Sequence, residues 1–325
     1  MDLEQKSIER IRFASQISFN HYKKPIVCTY SGGKDSDLML ELFIRSGIPF
    51  EVHHSHTTAD APQTVYHIRK KFYELELKGI KCEIEKPPVN NSDPKKRRFT
   101  MWSLIPKKKI PPTRLKRYCC SVLKEGSCRN RMIATGVRWG ESRARSERGE
   151  YEVIGNTKKD RISISDEEMS GTEKKKKYEQ LTIPGIETGE IMLMNDNDKR
   201  RRFIEKCELK AKTVCNPIIE WPTRDVLDFL NQERVEINPL YNMGFDRVGC
   251  IGCPMAGKGR CFEFSVFPTY KMAYIRAFDK MLEAMLNGGS GQIPKWKNGQ
   301  EVFEWWMEED IIPGQMEFDD LDIDF

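Results

Sequence analysis

The run Tyr30-Ser31-Gly32-Gly33-Lys34-Asp35-Ser36 constrains this 325-residue chain more than any other feature. It follows an apolar stretch, Pro25-Ile26-Val27-Cys28, that reads as a buried strand. It precedes Leu38, Met39, Leu42 and Phe43, two i,i+4 pairs on one helical face, with Gly47 where a helix C-cap belongs. The free amides and the dipole of a strand–loop–helix corner favour an anion. Gly32 and Gly33 let a phosphate approach the main chain, Ser31 and Ser36 add hydroxyl donors, and Lys34 adds a compact positive charge. The expected ligand is a phosphorylated nucleotide, bound by residues Tyr30 to Ser36. Neither G-x-x-x-x-G-K-[ST] nor G-x-G-x-x-G occurs here, so the loop is of another kind.

Further strand and helix patterns alternate around this corner. Pro49 to Ser55 reads as a second strand, Lys81 to Glu85 as a third and Arg131 to Val137 as a fourth. Val65, Ile68, Phe72 and Leu75 recur at helical spacing between the second and third. The alternation predicts an α/β fold with a doubly wound parallel sheet, whose ligand site lies at the carboxyl ends of the strands. Residues 1–24 are expected to form an N-terminal helix. Residues 25–265 are read as the nucleotide-binding catalytic domain, carrying a polar insertion at 148–200. Residues 266–325 are read as a mainly helical C-terminal segment with an acidic tail.

Charge is unevenly spread. Residues 301–325 hold ten acidic and no basic side chains, which leaves 54 basic against 39 acidic groups in the rest of the chain. Basic runs at 95–98, 107–109, 174–177 and 199–202 make nucleic acid a candidate partner beside the adenine nucleotide, although each run alone also reads as a solvated loop. No segment approaches a membrane span, and the first residues lack the apolar core of a signal peptide, so the expected location is cytoplasmic with no membrane partner. Ten cysteines in such a chain point to metal ligands, reactive thiols or small buried hydrophobes rather than disulfides. His53, His54 and His56 near the end of the second strand read as residues that line or flank the nucleotide site, as simple polar strand-end residues, or as metal ligands; Cys128 carries no specific signal.

The Ser31–Ser36 run resembles the PP-loop, Ser-Gly-Gly-x-Asp-Ser, of the ATP pyrophosphatases and of the phosphoadenosine phosphosulfate (PAPS) reductase family. Three further segments extend the resemblance. Gly136-Val137-Arg138, with Ser142 and Arg145, is similar to the family's Gly-[Ile/Leu]-Arg-Arg-x-x-Ser-x-x-Arg, with Trp139 in place of the second Arg. Asn216-Pro217 through Trp221 and Asp225-Val226 leads to Asn238-Pro239-Leu240-Tyr241 and then Cys250-Ile251-Gly252-Cys253 in the order the reductases show. Thr57, in a turn after the second strand, resembles a family Thr close to the nucleotide. The resemblance implies an adenine nucleotide alpha hydrolase-like, Rossmann-like fold. It implies a nucleotide site built from Tyr30–Ser36, Thr57, Gly136, Arg138 and Ser142, with Lys34, Asp35, Arg138 and Arg145 as the catalytic set.

Cys119-Cys120 and Cys250-x-x-Cys253 resemble the two halves that hold a [4Fe–4S] cluster in adenylyl-sulfate reductases, with Cys261 a competing ligand. Zinc on the same thiolates is the alternative. The sulfonucleotide reductases end in a Glu-Cys-Gly-Leu-His tail that supplies the nucleophile, whereas no Cys follows Cys261 here. The closer resemblance is therefore to reductase-like ATP pyrophosphatases of sulfur-transfer pathways. It implies ATP with Mg²⁺ as substrate, adenylylation of an acceptor with release of pyrophosphate, and a sulfur-donor protein such as a cysteine desulfurase. A PAPS or adenylyl-sulfate reductase, or a non-catalytic nucleotide- and nucleic-acid-binding module, are the alternatives.

Overall fold

The structure is a computed structural model and describes residues 2–128, 130–146, 148–154, 194–195, 212–287 and 294–308. The basic runs at 174–177 and 199–202, most of the polar insertion and the end of the acidic tail lie outside these residues. The elements run α1 (Leu3–Ile17), β1 (Ile26–Thr29), α2 (Lys34–Ser46), β2 (Phe50–Ser55), α3 (Pro62–Leu77), β3 (Lys81–Glu85), α4 (Met101–Lys108), α5 (Tyr118–Leu123), β4 (Met132–Ala134), β5 (Tyr151–Ile154), β6 (Met194–Asn195) and β7 (Lys212–Cys215). Helices Thr223–Gln232, Gly259–Val266, Pro268–Leu286 and Gly299–Glu308 follow. The chain divides into two units, each discontinuous in sequence.

The first unit comprises residues 1–55, 62–85 and 126–248. Its seven strands are ordered β3-β2-β1-β4-β7-β5-β6. All pairings are parallel except β5 with β7. The order steps outward from β1 to β2 and β3 on one side and to β4 and β7 on the other, which makes the β1/β4 boundary the switch point of a doubly wound sheet. Alternation along the strands separates the faces. Ile26, Cys28 and Val52 join Ile11, Leu38, Met39, Leu42 and Phe43 of α1 and α2 in the main core. Val27, Ile133 and Val214 form a smaller cluster. Each such fully buried side chain contributes about 1.5–3 kcal/mol relative to exposure.

Two segments differ from the reading of the sequence. The fourth strand is three residues long rather than seven, because the chain leaves the ladder after Ala134 and carries Gly136 and Arg138 toward the start of α2. Tyr151–Ile154, expected within a polar insertion, forms a strand. Its polar alternation is satisfied locally: Glu152 is 2% exposed and accepts from Arg148 Nε, Gly149 N and Asn216 Nδ2.

The second unit comprises residues 56–61, 86–125 and 249–325 and is helical. α4 runs for eight residues and is capped by Thr100, which accepts from Ser103 N. Its Trp102 packs edge-on against Tyr274 of the Pro268–Leu286 helix. Phe264, Phe303 and the fully buried Trp306 complete an aromatic core. Trp306 Nε1 donates to Pro112 O at 2.6 Å, which gives the buried indole N–H a partner. Among the described residues no helix is long and apolar enough to cross a membrane.

Candidate active site

The glycine-loop corner forms at the switch point of the first unit. β1 ends at Thr29, and α2 begins at Lys34 with Gly33 as its N-cap residue. Gly32 adopts φ +75°, and a Cβ there would stand 3.0 Å from Ile68 Cγ1, so the turn requires glycine. Ser36 Oγ accepts from Gly33 N at 3.0 Å and donates to Gly33 O at 2.7 Å, fixing the loop from inside. Tyr241 Oη accepts from Lys34 N at 2.9 Å, and Asn238 Nδ2 donates to Gly32 O at 2.9 Å and to Thr64 Oγ1 at 3.2 Å. The Asn-Pro-Leu-Tyr segment is thus a brace for the glycine loop. The main-chain amides of Ser31 and Gly32 have no hydrogen-bond partner among the described residues. Lys34 Nζ lies 5.5 Å from the centroid of the Tyr241 ring and 3.5 Å from Asp246 O.

The segment after β4 closes on this loop. A Cβ on Gly136 would lie 3.4 Å from the main chain of Asp35, so a larger residue would crowd the first turn of α2. Arg138 is 3% exposed. Its Nε sits 2.7 Å from Asp35 Oδ1, an ion pair without good hydrogen-bond alignment. Its Nη1 donates to Trp221 O at 3.0 Å and Thr223 Oγ1 at 3.1 Å. Burial raises the Asp35 pKa, and Arg138 and Lys34 only partly oppose it. Arg138 therefore holds the loop through Asp35 and carries positive charge beneath it. Ser142 is exposed, and Arg145 pairs with Glu141 on the surface.

Tyr30 has a different task from the one its position suggests. Its ring is 2% exposed, and its hydroxyl donates to Asp37 Oδ1 at 2.5 Å and meets His67 Nε2 at 3.0 Å. Its N–H donates to His53 O and its carbonyl faces His54 Nδ1 at 2.9 Å, so it anchors the loop to the core and to β2.

The second unit gathers the thiols. Cys119 and Cys120 lie on α5; Cys250 and Cys253 flank a tight turn in which Gly252 has φ +73° and donates its N–H to Glu263 Oε2 at 2.7 Å. The four affect one another's charge. A hydrogen bond with Cys119 lowers the Cys120 pKa against burial, helped by Arg117, whose Nη2 is 3.6 Å from the Cys120 sulfur. That same bond, then burial and the charges of Cys120, Cys250 and Cys253, raise Cys119. Burial raises Cys250, which Lys124 opposes. Lys124 is in turn raised by Cys250 first, despite desolvation, and by Asp60, Cys120 and Cys253. Nothing in the sequence marks Lys124 as part of this group.

Soft thiolate donors suit an iron–sulfur cluster by their chemistry, and a bound cation would offset the desolvation that Cys250 suffers as a thiolate; among the described residues no three of these four sulfurs lie within 4.8 Å of one another, as a single zinc ion would require. Cys261 is exposed on its helix and is not among the groups that shift Cys119, Cys120 or Cys250. Thr57 stands with them: its Oγ1 is 3.2 Å from the Cys250 sulfur, and its N–H donates to Asp60 Oδ2 at 2.9 Å.

A doubly wound sheet with the Ser31–Ser36 glycine loop at its switch point has the α/β architecture of the PP-loop class. Residues 25–256, well over half the chain, match the phosphoadenosine phosphosulfate reductase domain, and the chain belongs to that family. An uncharacterized protein of Methanocaldococcus jannaschii is 33% identical over 60 residues, which cover 18% of this chain and 12% of that protein. An uncharacterized 37.8 kDa protein of Escherichia phage 186 is 29% identical over 77 residues, 24% of this chain and 23% of the relative. The chain thus matches less than a quarter of the length of either. Among solved structures, a phosphoadenylyl-sulfate reductase from Candida auris in a phosphate complex aligns with TM-score 0.41 at 15% identity, covering 75% of this chain and 88% of that one. The U34-tRNA thiolase NcsA from Methanococcus maripaludis with its [4Fe-4S] cluster aligns with TM-score 0.36 at 13% identity, covering 91% and 83%. Both structural similarities are weak.

Proposed function

We propose that this protein is a PP-loop enzyme that binds ATP with Mg²⁺, adenylylates an acceptor with release of pyrophosphate, and serves a sulfur-transfer pathway. One observation carries the reading: the unpartnered amides of Ser31 and Gly32, at the switch point and beside Lys34, offer donors where a phosphate chain can lie. In this reading the pyrophosphate lies over Ser31–Ser36. An acceptor oxygen attacks the α-phosphorus, the P–O bond to the β-phosphate breaks, and pyrophosphate leaves with the bond pair. Lys34 offsets the negative charge that builds on the phosphate oxygens, Arg138 holds the loop through Asp35, and Arg145 turns from Glu141 to the nucleotide. A sulfur nucleophile then displaces AMP from the acceptor.

Cys119, Cys120, Cys250 and Cys253 would hold a [4Fe–4S] cluster in the second unit. A cluster there supplies an iron centre able to hold sulfide or to order the surrounding loops. Nucleic acid is the favoured acceptor class, given the excess of basic side chains outside the acidic tail. A cysteine desulfurase-type protein is the proposed sulfur donor.

The family match keeps sulfonucleotide reduction as the second reading. Trp139 stands where the reductases carry a second Arg, and its Nε1 donates to Arg148 O at 2.9 Å, which provides no charge for a sulfate. The test is a pyrophosphate-release assay on anaerobically purified protein with ATP, DNA or RNA and a sulfide source, run beside a sulfite assay with PAPS and adenylyl sulfate. Pyrophosphate release with ATP alone among the nucleotides supports the proposal. Sulfite formation selects the reductase, and ATP binding without turnover on any acceptor selects a sensing module.

A further inference from the structure

In β2, Glu51, His53 and Ser55 share one face, and they pair in register with Lys81, Glu83 and Glu85 of β3. A doubly wound sheet ordinarily presents apolar residues to a covering layer on both faces. Here the outer half of one face is polar. Cys128, at φ +55° in the stretch before β4, brings its sulfur onto it. A left-handed conformation is rare for a residue with a Cβ and recurs where a side chain must be aimed.

We propose that Cys128 Sγ, His53 Nδ1 and Glu85 Oε1 form a binding site for a zinc ion, with the fourth position open to an exogenous ligand. The three donor atoms lie within 4.8 Å of one another. Their separations are 3.2 Å from nitrogen to oxygen, 3.5 Å from nitrogen to sulfur and 4.0 Å from sulfur to oxygen. Tetrahedral zinc with its usual bond lengths sets these edges at about 3.3, 3.6 and 3.6 Å, so an ion fits with shifts of a few tenths of an ångström. The donor set suits this metal: one thiolate, one imidazole and one carboxylate neutralise a divalent ion with two negative charges.

The outer groups support the same assignment. His53 Nε2 lies 3.1 Å from Glu51 Oε2. A ligating histidine characteristically donates its other N–H to a carboxylate, which fixes the tautomer and frees the remaining nitrogen for the metal. Glu51 is held in turn by Arg131 Nη2 at 3.1 Å and Lys81 Nζ at 3.4 Å. Arg131 also donates to Pro25 O at 2.9 Å, tying this network to the start of β1. Every residue of the site belongs to the first unit, so it is separate from the thiols on α5 and at Cys250 and Cys253. Three protein ligands with one open position is the pattern of zinc sites that bind water or a substrate group.

The test uses the full chain, dialysed against chelator and then titrated anaerobically with Zn²⁺ and, separately, Co²⁺. The wild type is expected to take up one more equivalent of zinc than Cys128→Ser or Glu85→Gln, and Cys250→Ser is expected to keep that equivalent. In the Cys250→Ser background, which removes a ligand of the other thiol site, cobalt should give a thiolate charge-transfer band with tetrahedral ligand-field bands, lost when Cys128→Ser is added. Glu51→Gln keeps all three donors and loses the orienting carboxylate, so its affinity should fall about 10- to 100-fold. Circular dichroism reports whether each variant is folded, and Glu85→Gln replaces Cys128→Ser if the latter is not. Equal zinc uptake by folded wild type and Glu85→Gln would overturn the proposal. So would the absence of a cobalt thiolate band in folded Cys250→Ser, or a band in that background that survives the addition of Cys128→Ser.

Discussion

Arg138 Nε lies 2.7 Å from Asp35 Oδ1, joining the segment after β4 to the first turn of α2. The two residues are 103 positions apart and meet only because β1 and β4 are neighbours at the switch point. Removing the guanidinium leaves a desolvated carboxylate without a counter-charge. Arg138→Met should destabilise the protein by about 3–5 kcal/mol, the cost typical of breaking one side of a buried pair. Urea unfolding should show Arg138→Met/Asp35→Asn recovering part of that loss, whereas additive effects would mean the pair is not coupled.

Asp35 also sets a pH dependence. Its folded pKa lies above the ordinary aspartate value of 3.8 because burial outweighs Arg138 and Lys34. A raised carboxyl favours folding while protonated, so that contribution is present below the unfolded pKa and is lost as pH rises through the folded value. Stability of the wild type relative to Asp35→Asn should therefore decline with rising pH from about 3.8 upward. A difference that is flat across this range, measured by urea unfolding at several pH values, would contradict the assignment.

The glycine loop depends on its brace. Asn238 is fully buried, and Asn238→Ala leaves the Gly32 carbonyl and the Thr64 hydroxyl without their amide partner. The expected loss is about 1–3 kcal/mol of stability. ATP affinity should weaken with it, because the loop is no longer held in its left-handed turn at Gly32. Thermal melts and ATP titration of the same variant check both effects.

These relationships differ in how far the sequence reveals them. β1 and α2 are legible because an apolar run, two glycines and an i,i+4 pattern agree on one strand–loop–helix corner. β5 is not, because its buried Glu152 is satisfied by Arg148 and Asn216, and a buried, paired carboxylate reads as surface. Asn238 and Tyr241 stand out as a motif, but their contact with the glycine loop crosses about two hundred residues. The meeting of His53, Glu85 and Cys128 follows from strand register, which a hydrophobic pattern cannot fix on a polar face.

The thiols make a sharper distinction than their spacing does. Anaerobic preparations of Cys119→Ser, Cys120→Ser, Cys250→Ser and Cys253→Ser should each lose bound iron at this site. Cys261→Ser should retain the wild-type complement, since Cys261 is exposed and does not enter the interactions that shift Cys119. Metal analysis of the five variants decides between Cys261 and the assigned set.

The most direct measurement is calorimetric titration of ATP with Mg²⁺ into wild-type protein and into Lys34→Ala, with folding verified for both. One nucleotide site in the wild type, weakened at least tenfold in Lys34→Ala, is the predicted result. No heat of binding from well-folded wild type, or equal affinity in the two proteins, would contradict the placement of the nucleotide over the glycine loop.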